Sequence, residues 1–381
     1  FYSAHRYVFI HSSQIGIEMR YLLIVLLCFL PLNVWAGSSK TADFSKPNVR
    51  VIESEEAKKY DGGSKHVKVF MVIDRIFNID ISAGTYEVEA ELLLKWRNDE
   101  DIDKIRSEFK EHTYAGEKMH KIIDKIWHPE FIVKSELHRR ETLFSTIHLN
   151  KDGSLELFEK FETILPINTD IREYPFGTLQ LNLDIVAFTH DAHEMVFDPI
   201  HFELGHPEQD TPVVVGNWTL TDYYIDKKIA HRLSTTDQVF TQNGFHFIIK
   251  HDFNDTLQKI FLPLGGVILI SIFLNLFSSM QFKANYEARV QGQLTLLLTV
   301  FALKFTLAGE TPQTHYMNFI DMLFMIATGA ILINLFSSIA VGELYLSGQN
   351  QRAFRYERVL DWACPFFVVA ALALASYSVF T

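Results

Sequence analysis

Residues 286–307, YEARVQGQLTLLLTVFALKFTL, decide the fold. Steps of three and four from Glu287 pass through Gln291, Thr295, Leu298, Ala302 and Phe305, which sets these six side chains on one side of an α-helix. The face is graded along its length, from carboxylate to amide to hydroxyl and then to bulky apolar groups. Lipid does not tolerate the polar half, and a lone helix has no cavity in which to hide it. Several copies around a wet pore would satisfy it, with a charged ring at one mouth and an apolar constriction further along. A buried bundle helix with hydrogen-bonded polar groups gives the same pattern, so both readings stand at this stage.

The rest of the chain moves the balance. Its 381 residues suffice for two domains, and they divide into unlike halves: charged and mixed up to about Asp255, dominated by apolar runs beyond it. A net charge of -11 argues against a nucleic-acid partner. Two cysteines, Cys28 and Cys364, lie far apart in apolar stretches, which excludes a disulfide framework and a cysteine-based metal site. There is no glycine-rich phosphate loop and no nucleophile elbow, so neither an enzyme nor a cofactor is expected.

Taken in order, residues 1–18 carry no periodic pattern and are read as an upstream extension without structure. Residues 19–36 combine Met19 and Arg20, a short apolar core and a terminal small residue, Ala36, as a cleavable signal peptide does. Residues 45–256 are read as an outer domain. Runs such as HVKVFMVIDRIFNIDI, TYEVEAELLLKW, FIVKSEL, TLFSTIHLN, SLELFEKFETIL, LQLNLDIVAF, WTLTDYYID and FHFIIKHDF alternate with period two between polar turns, which predicts an antiparallel, immunoglobulin-like β-sandwich. Residues 107–125 hold the one plausible short helix. His201, Glu203, His206, Glu208 and Asp210 are read as a solvated acidic loop rather than a divalent-cation site. Residues 257–381 are read as a four-helix transmembrane bundle, with apolar segments 260–282, 290–307, 316–341 and 362–380 each about long enough to cross a bilayer. Lys283 and Arg289 flank the first connection, Arg352, Arg355 and Arg358 fill the third, and the second, AGETPQTH, has no Lys or Arg. That asymmetry puts the sandwich and the C-terminus outside the cell membrane.

With these residues laid out, the chain resembles the pentameric ligand-gated ion channels, its prokaryotic members above all, over about residues 67–381. The resemblance rests on Leu262-Pro263-Leu264, Tyr286-Glu287-Ala288 and the loop Thr311-Pro312-Gln313-Thr314-His315-Tyr316-Met317, together with Trp96, Trp127-His128-Pro129 and Tyr174-Pro175-Phe176 in the sandwich. The short third connection lacks the cytoplasmic insert of animal receptors. Ile167 and Leu181 stand where animal members have a cysteine pair. Gly177 replaces the usual Asp, and His251 the usual Arg, so the family's junctional ion pair is missing.

The resemblance implies a homopentamer, each chain beside four identical subunits, anchored in lipid and conducting monovalent cations. Glu287, Gln291 and Thr295 would set selectivity, and Leu298, Ala302 and Phe305 would form the gate. A small-molecule agonist, or protons, would act at a pocket implied to include Phe188, Phe240, Glu91, Lys134 and Phe131, under a flap at residues 233–244. The aromatic cage for an amine is incomplete, because Lys134 and Glu91 stand where aromatics are usual. Tyr174, Pro175, Phe176, Lys250, His251, Pro312 and His315 would couple pocket to pore, with His251 and His315 as candidate pH sensors. Lys304 is expected to turn from the lumen, and Asn275 and Asn334 to hydrogen-bond between helices. The rival reading is a non-channel receptor held by four membrane helices.

Overall fold

A computed structural model describes residues 49–60, 65–97, 111–168, 170–205, 212–231, 238–278, 282–308 and 316–380. The upstream extension, the signal peptide, Pro312, His315, His206, Glu208 and Asp210 lie outside the described residues. The chain divides into two compact units. Described residues 49–170 and 178–251 form one, and Ile171–Gly177 with 252–380 form the other.

The first unit holds two sheets. Strands β1 (Val51–Glu53), β2 (Lys65–Asp80), β3 (Thr85–Arg97), β4 (Thr113–Ala115), β5 (Phe131–Val133), β6 (Glu141–Leu149), β7 (Ser154–Pro166), β8 (Thr178–Ala187), β9 (Met195–Leu204), β10 (Trp218–His231) and β11 (Val239–His251) are ordered β1-β10-β11-β8-β5 in one sheet and β4-β6-β7-β3-β2-β9 in the other. Alternation drives them: β7 reads buried and half-buried in turn for most of its length, as a strand with one apolar face must. Facing side chains fill the space between sheets. Phe202 of β9 lies 5.1 Å from Phe245 and 5.9 Å from Phe247 of β11, ring centroid to centroid. The Tyr86 hydroxyl of β3 donates across to the Asn182 carbonyl at 2.7 Å. Helix α1 (Gly116–Ile123) falls inside the insert expected to be helical.

The sandwich differs from the expectation in its edges. β1 pairs with β10 and β2 with β9 in parallel, so the fold is mixed rather than purely antiparallel. Parallel neighbours need long connections instead of hairpin turns, and no local turn signal announces them. β9 carries Pro199 and was not among the predicted strands. It puts His201 and Glu203 on a strand, with Nε2 2.8 Å from Oε1, rather than in a loop. β5 stops at Val133 instead of running to Leu137, and Ser135 turns the chain with φ 64°. β11 begins at Val239, so the second half of the predicted flap is paired strand; residues 232–237 are outside the described set.

In the second unit an α turn (Phe253–Thr256) and a π turn (Leu257–Phe261) lead into α2 (Leu262–Ser278), followed by α3 (Phe282–Thr306), α4 (Phe319–Leu346) and α5 (Asn350–Phe380). Each of α3, α4 and α5 packs against a sequence neighbour, and α2 touches all three. Among the described residues three segments are long and apolar enough to cross a membrane: Asn254–Asn275, Phe319–Leu346 and Asn350–Val379. α3 falls short because of its polar content, Lys283, Glu287, Arg289 and Lys304 among it, not its length of 25 residues.

Candidate functional site

The helical unit holds α3 by one face. Arg289, Gln293 and Val300, spaced along a single side, are buried. Gln293 clamps Ser271 of α2, accepting from its hydroxyl at 2.7 Å and donating to its carbonyl at 2.9 Å. Ser271 also accepts from Asn334 of α4 at 2.8 Å, and Asn334 accepts from Asn275 at 2.8 Å. Asn275 in turn accepts from the Arg289 guanidinium at 2.9 Å, whose other arm reaches Glu357 of α5 at 3.0 Å. One continuous polar chain thus ties all four long helices together. Asn275 and Asn334 bond between helices as their positions in apolar segments predicted. Arg289, read as a loop charge, is instead 3% exposed and ion-paired.

The opposite face is bare. Glu287, Gln291, Thr295, Leu298, Ala302 and Phe305 are all exposed, Leu298 at 71% and Phe305 at 80%. The chain's own helices leave this stripe uncovered. The Thr295 hydroxyl donates back to the Gln291 carbonyl at 2.9 Å, so the oxygen presents only lone pairs outward. Lys304 lies 3.4 Å from Asp321 of α4, which offsets its charge. Asp321 is itself positioned by the Asn318 cap of α4, at 2.9 Å.

At the start of the unit, Phe176 sits against Phe261 at 5.8 Å and Phe319 at 5.5 Å, and the Tyr316 hydroxyl accepts the Ile171 amide at 3.1 Å. Tyr174 and Pro175 are buried beside it, joined by a cis peptide. In the sandwich unit Lys250 and His251 end β11, and His251 meets Trp218 edge-on at 4.7 Å.

Two of the cavities among the described residues of the sandwich unit bear on the predicted pocket. One, of about 650 Å³, is lined by Lys134, Asp184, Phe188, Asp226, Lys228, Phe240, Gln242 and His246 among others. The other, of about 630 Å³, has Phe131, Arg140 and Phe188 on its wall. The fold therefore brings Phe188, Phe240 and Lys134 together, with Phe188 shared by both cavities. Phe131 is buried under the Arg140 guanidinium, 4.4 Å from the ring centroid, a stacking contact rather than an open face. Glu91 lies in the other sheet and lines neither cavity. It joins Asp74 and Glu89 around the Lys160 ammonium at 3.1, 2.5 and 3.2 Å respectively. Burial works against the charge on Lys160, yet the hydrogen bonds from these carboxylates hold its pKa above the ordinary lysine value.

Sequence reading missed the floor of the larger cavity. His246, on β11 and 8% exposed, stacks on Tyr224 of β10 at 4.5 Å, and its Nδ1 lies 2.6 Å from the Asn182 side-chain oxygen. Burial lowers its pKa below the ordinary 6.5, against the pull of Asp184 and Asp226. The same burial raises Asp184. The only signal in the sequence was a His two residues beyond a strand glycine, which is too common to single out.

No protein-family model matches the chain. Among curated proteins it is similar to a proton-gated ion channel of Gloeobacter violaceus, 25% identical over 309 residues, covering 78% of this chain and 79% of the relative. A match of that length exceeds either unit alone and agrees with the motifs: the chain resembles the prokaryotic pentameric ligand-gated ion channels. The relative's class is a channel, not an enzyme.

Proposed function

We propose that this chain is the subunit of a homopentameric, cation-selective channel of a bacterial inner membrane, opened by protons or by a small molecule at its outer domain. The observation that carries the reading is the two-sidedness of α3. Arg289, Gln293 and Val300 are fixed among the chain's own helices, while the graded stripe from Glu287 to Phe305 is left open. Such a face needs either water or four further copies of itself, and a closed ring supplies both.

In that ring five Glu287 carboxylates stabilise a cation at the inner mouth and repel anions. Gln291 and the outward lone pairs of Thr295 replace part of its hydration shell. Leu298 and Phe305, with the small Ala302 between them, close the passage by excluding water while the apolar ring is narrow. The pairing of Lys304 with Asp321 keeps a fixed positive charge from opposing cation entry. Exposed apolar groups on α5, Phe366, Leu374 and Tyr377 among them, suit contact with lipid. α3 crosses with the other three helices because the ring shelters its polar side.

Gating is a two-state equilibrium biased by differential affinity of the outer domain for its ligand. Phe176, in contact with Phe261 and Phe319 at the two helices flanking α3 in sequence, is the element through which that bias reaches the pore. By resemblance, Lys250, His251, Pro312 and His315 would take part in the same coupling. The relative's proton gating, with the titratable floor of the larger cavity, favours protons over a small organic agonist.

Purified protein in planar bilayers, with the pH stepped from neutral to roughly 4.5, tests this. Stepwise single-channel currents that reverse near the cation equilibrium potential are expected. A preparation that stays silent under acid and under a panel of small amines and amino acids would overturn the reading.

A further inference from the structure

The larger cavity has a floor laid out in rows. β11 runs between β8 and β10, and three cross-strand rows follow in register: Asn182, His246 and Tyr224; Asp184, Gly244 and Asp226; Val186, Gln242 and Lys228. Residues in such rows share a face of the sheet. Two aspartates therefore flank a glycine in the middle row, with an imidazole one row away.

Gly244 leaves a slot. A Cβ there would lie 2.8 Å from Asp184 Oδ1 and 2.8 Å from His246 Nε2. Both atoms are buried, and among the described residues neither has a hydrogen-bond partner. Two unsatisfied polar atoms converging on one gap are costly unless something occupies it.

The pattern of neighbours fixes what is missing. His246 Nδ1 lies 2.6 Å from the Asn182 side-chain oxygen, an acceptor, and 3.0 Å from Gln180 Nε2, a donor; the shorter contact favours the hydrogen on Nδ1. Gln180 Nε2 also lies 3.1 Å from Asn182 Oδ1 and 3.2 Å from the Tyr224 hydroxyl, acceptors enough for its two hydrogens when Nδ1 keeps its own. Nε2 is then a lone pair, facing Asp226 Oδ2 at 3.6 Å and Asp184 Oδ1 across the slot. Lone pair, carboxylate and carboxylate meet with no hydrogen between them.

The surrounding cations do not fill the gap. Lys228 is spent on Asp226, its hydrogen-bond partner. Lys134 donates to Gln242 Oε1 at 3.2 Å, and Gln242 Nε2 donates to Asp184 Oδ2 at 2.9 Å, which leaves Oδ1 alone. Arg50 stacks outside Tyr224, 5.2 Å from its ring centroid.

We propose that the slot over Gly244, walled by His246, Asp184 and Asp226, is where the activating proton binds. The word activating rests on the channel reading above; the proton site rests on the geometry. One proton from bulk water adds to Nε2, no other bond breaks, and the imidazolium N–H gains the two carboxylates as acceptors. Because β8, β10 and β11 each supply a wall, uptake ties side chains of three strands to one charge in the cavity that Phe188 and Phe240 also line. The proton then acts where the resemblance puts an agonist. Depression of the His246 pKa by burial sets uptake on the acid side of free histidine.

The test uses the full chain. Currents against pH are recorded for the native protein and for His246→Gln, Asp184→Asn and Gly244→Ala, the last filling the slot while leaving every titrating residue in place. Each variant is expected to move the activation midpoint by at least about one pH unit, with the reversal potential unchanged. In parallel, hydrogen–deuterium exchange at the imidazole Cε1 position, read by mass spectrometry, reports the titration of His246 itself. A midpoint below that of free histidine, displaced in Asp184→Asn, is expected. A native current whose midpoint ignores all three variants overturns the inference and spares the channel. Silence at every pH overturns the channel reading instead, and the exchange titration then decides the proton site: a His246 that stays neutral through the acid range ends it.

Discussion

Arg289 of α3 places Nη1 3.0 Å from Glu357 Oε1 of α5, and both side chains are 3% exposed. Sixty-eight residues separate them in sequence. Removing one partner leaves an uncompensated charge among apolar helices. Arg289→Met or Glu357→Leu alone is expected to cost roughly 3–5 kcal/mol, whereas the double variant Arg289→Met with Glu357→Leu recovers most of it. Thermal melts in detergent check this; equal damage in single and double variants would show that the pair is not the unit of stability.

Glu287→Gln keeps the size of the side chain and deletes its charge. Under a tenfold salt gradient the reversal potential is expected to move toward zero, by roughly half of the native value or more, with the activation midpoint unchanged. A potential that stays in place would remove Glu287 from the selectivity ring.

Leu298 and Phe305 are the most exposed bulky groups on the stripe of α3. Leu298→Ser wets the constriction in the closed state. Current at neutral pH is expected to rise roughly tenfold, which corresponds to about 1.4 kcal/mol between closed and open states. Phe305→Ser is expected to act in the same direction. Ala302→Ser, which changes little volume, serves as the comparison, and a larger effect there than at Leu298 would relocate the gate.

Lys160 carries Asp74, Glu89 and Glu91 in the sandwich unit. Burial opposes ionisation of Glu89, but Lys160 and Arg75 outweigh it and its pKa lies below the ordinary 4.5. A carboxylate with a depressed folded-state value stabilises the fold above its unfolded value and loses that contribution as pH falls through the folded one. Lys160→Met removes the main counter-charge, so the acid-unfolding midpoint is expected to rise and stability near neutrality to drop by roughly 2–4 kcal/mol. Circular dichroism against pH measures both. An unchanged acid limb would mean that Arg75 alone suffices for Glu89.

The stripe on α3 was legible in the sequence because a helix repeats every 3.6 residues. Polarity recurring at that period names a face whatever the rest of the chain does. The same logic served Asn275 and Asn334, since an amide in an apolar run has only another helix to bond with, and it served β2, β3 and β7, whose alternation is local. Local periodicity could not announce β9, which pairs in parallel with β2 across a long connection. Nor could it show that Arg289 is buried, because a charge leaves water only if a distant partner and a low-dielectric setting arrive together. His246, Asp184, Asp226 and the gap at Gly244 belong to that second kind. They are ordinary residues on three strands, and only the cross-strand register turns them into neighbours with a proton-sized place between them.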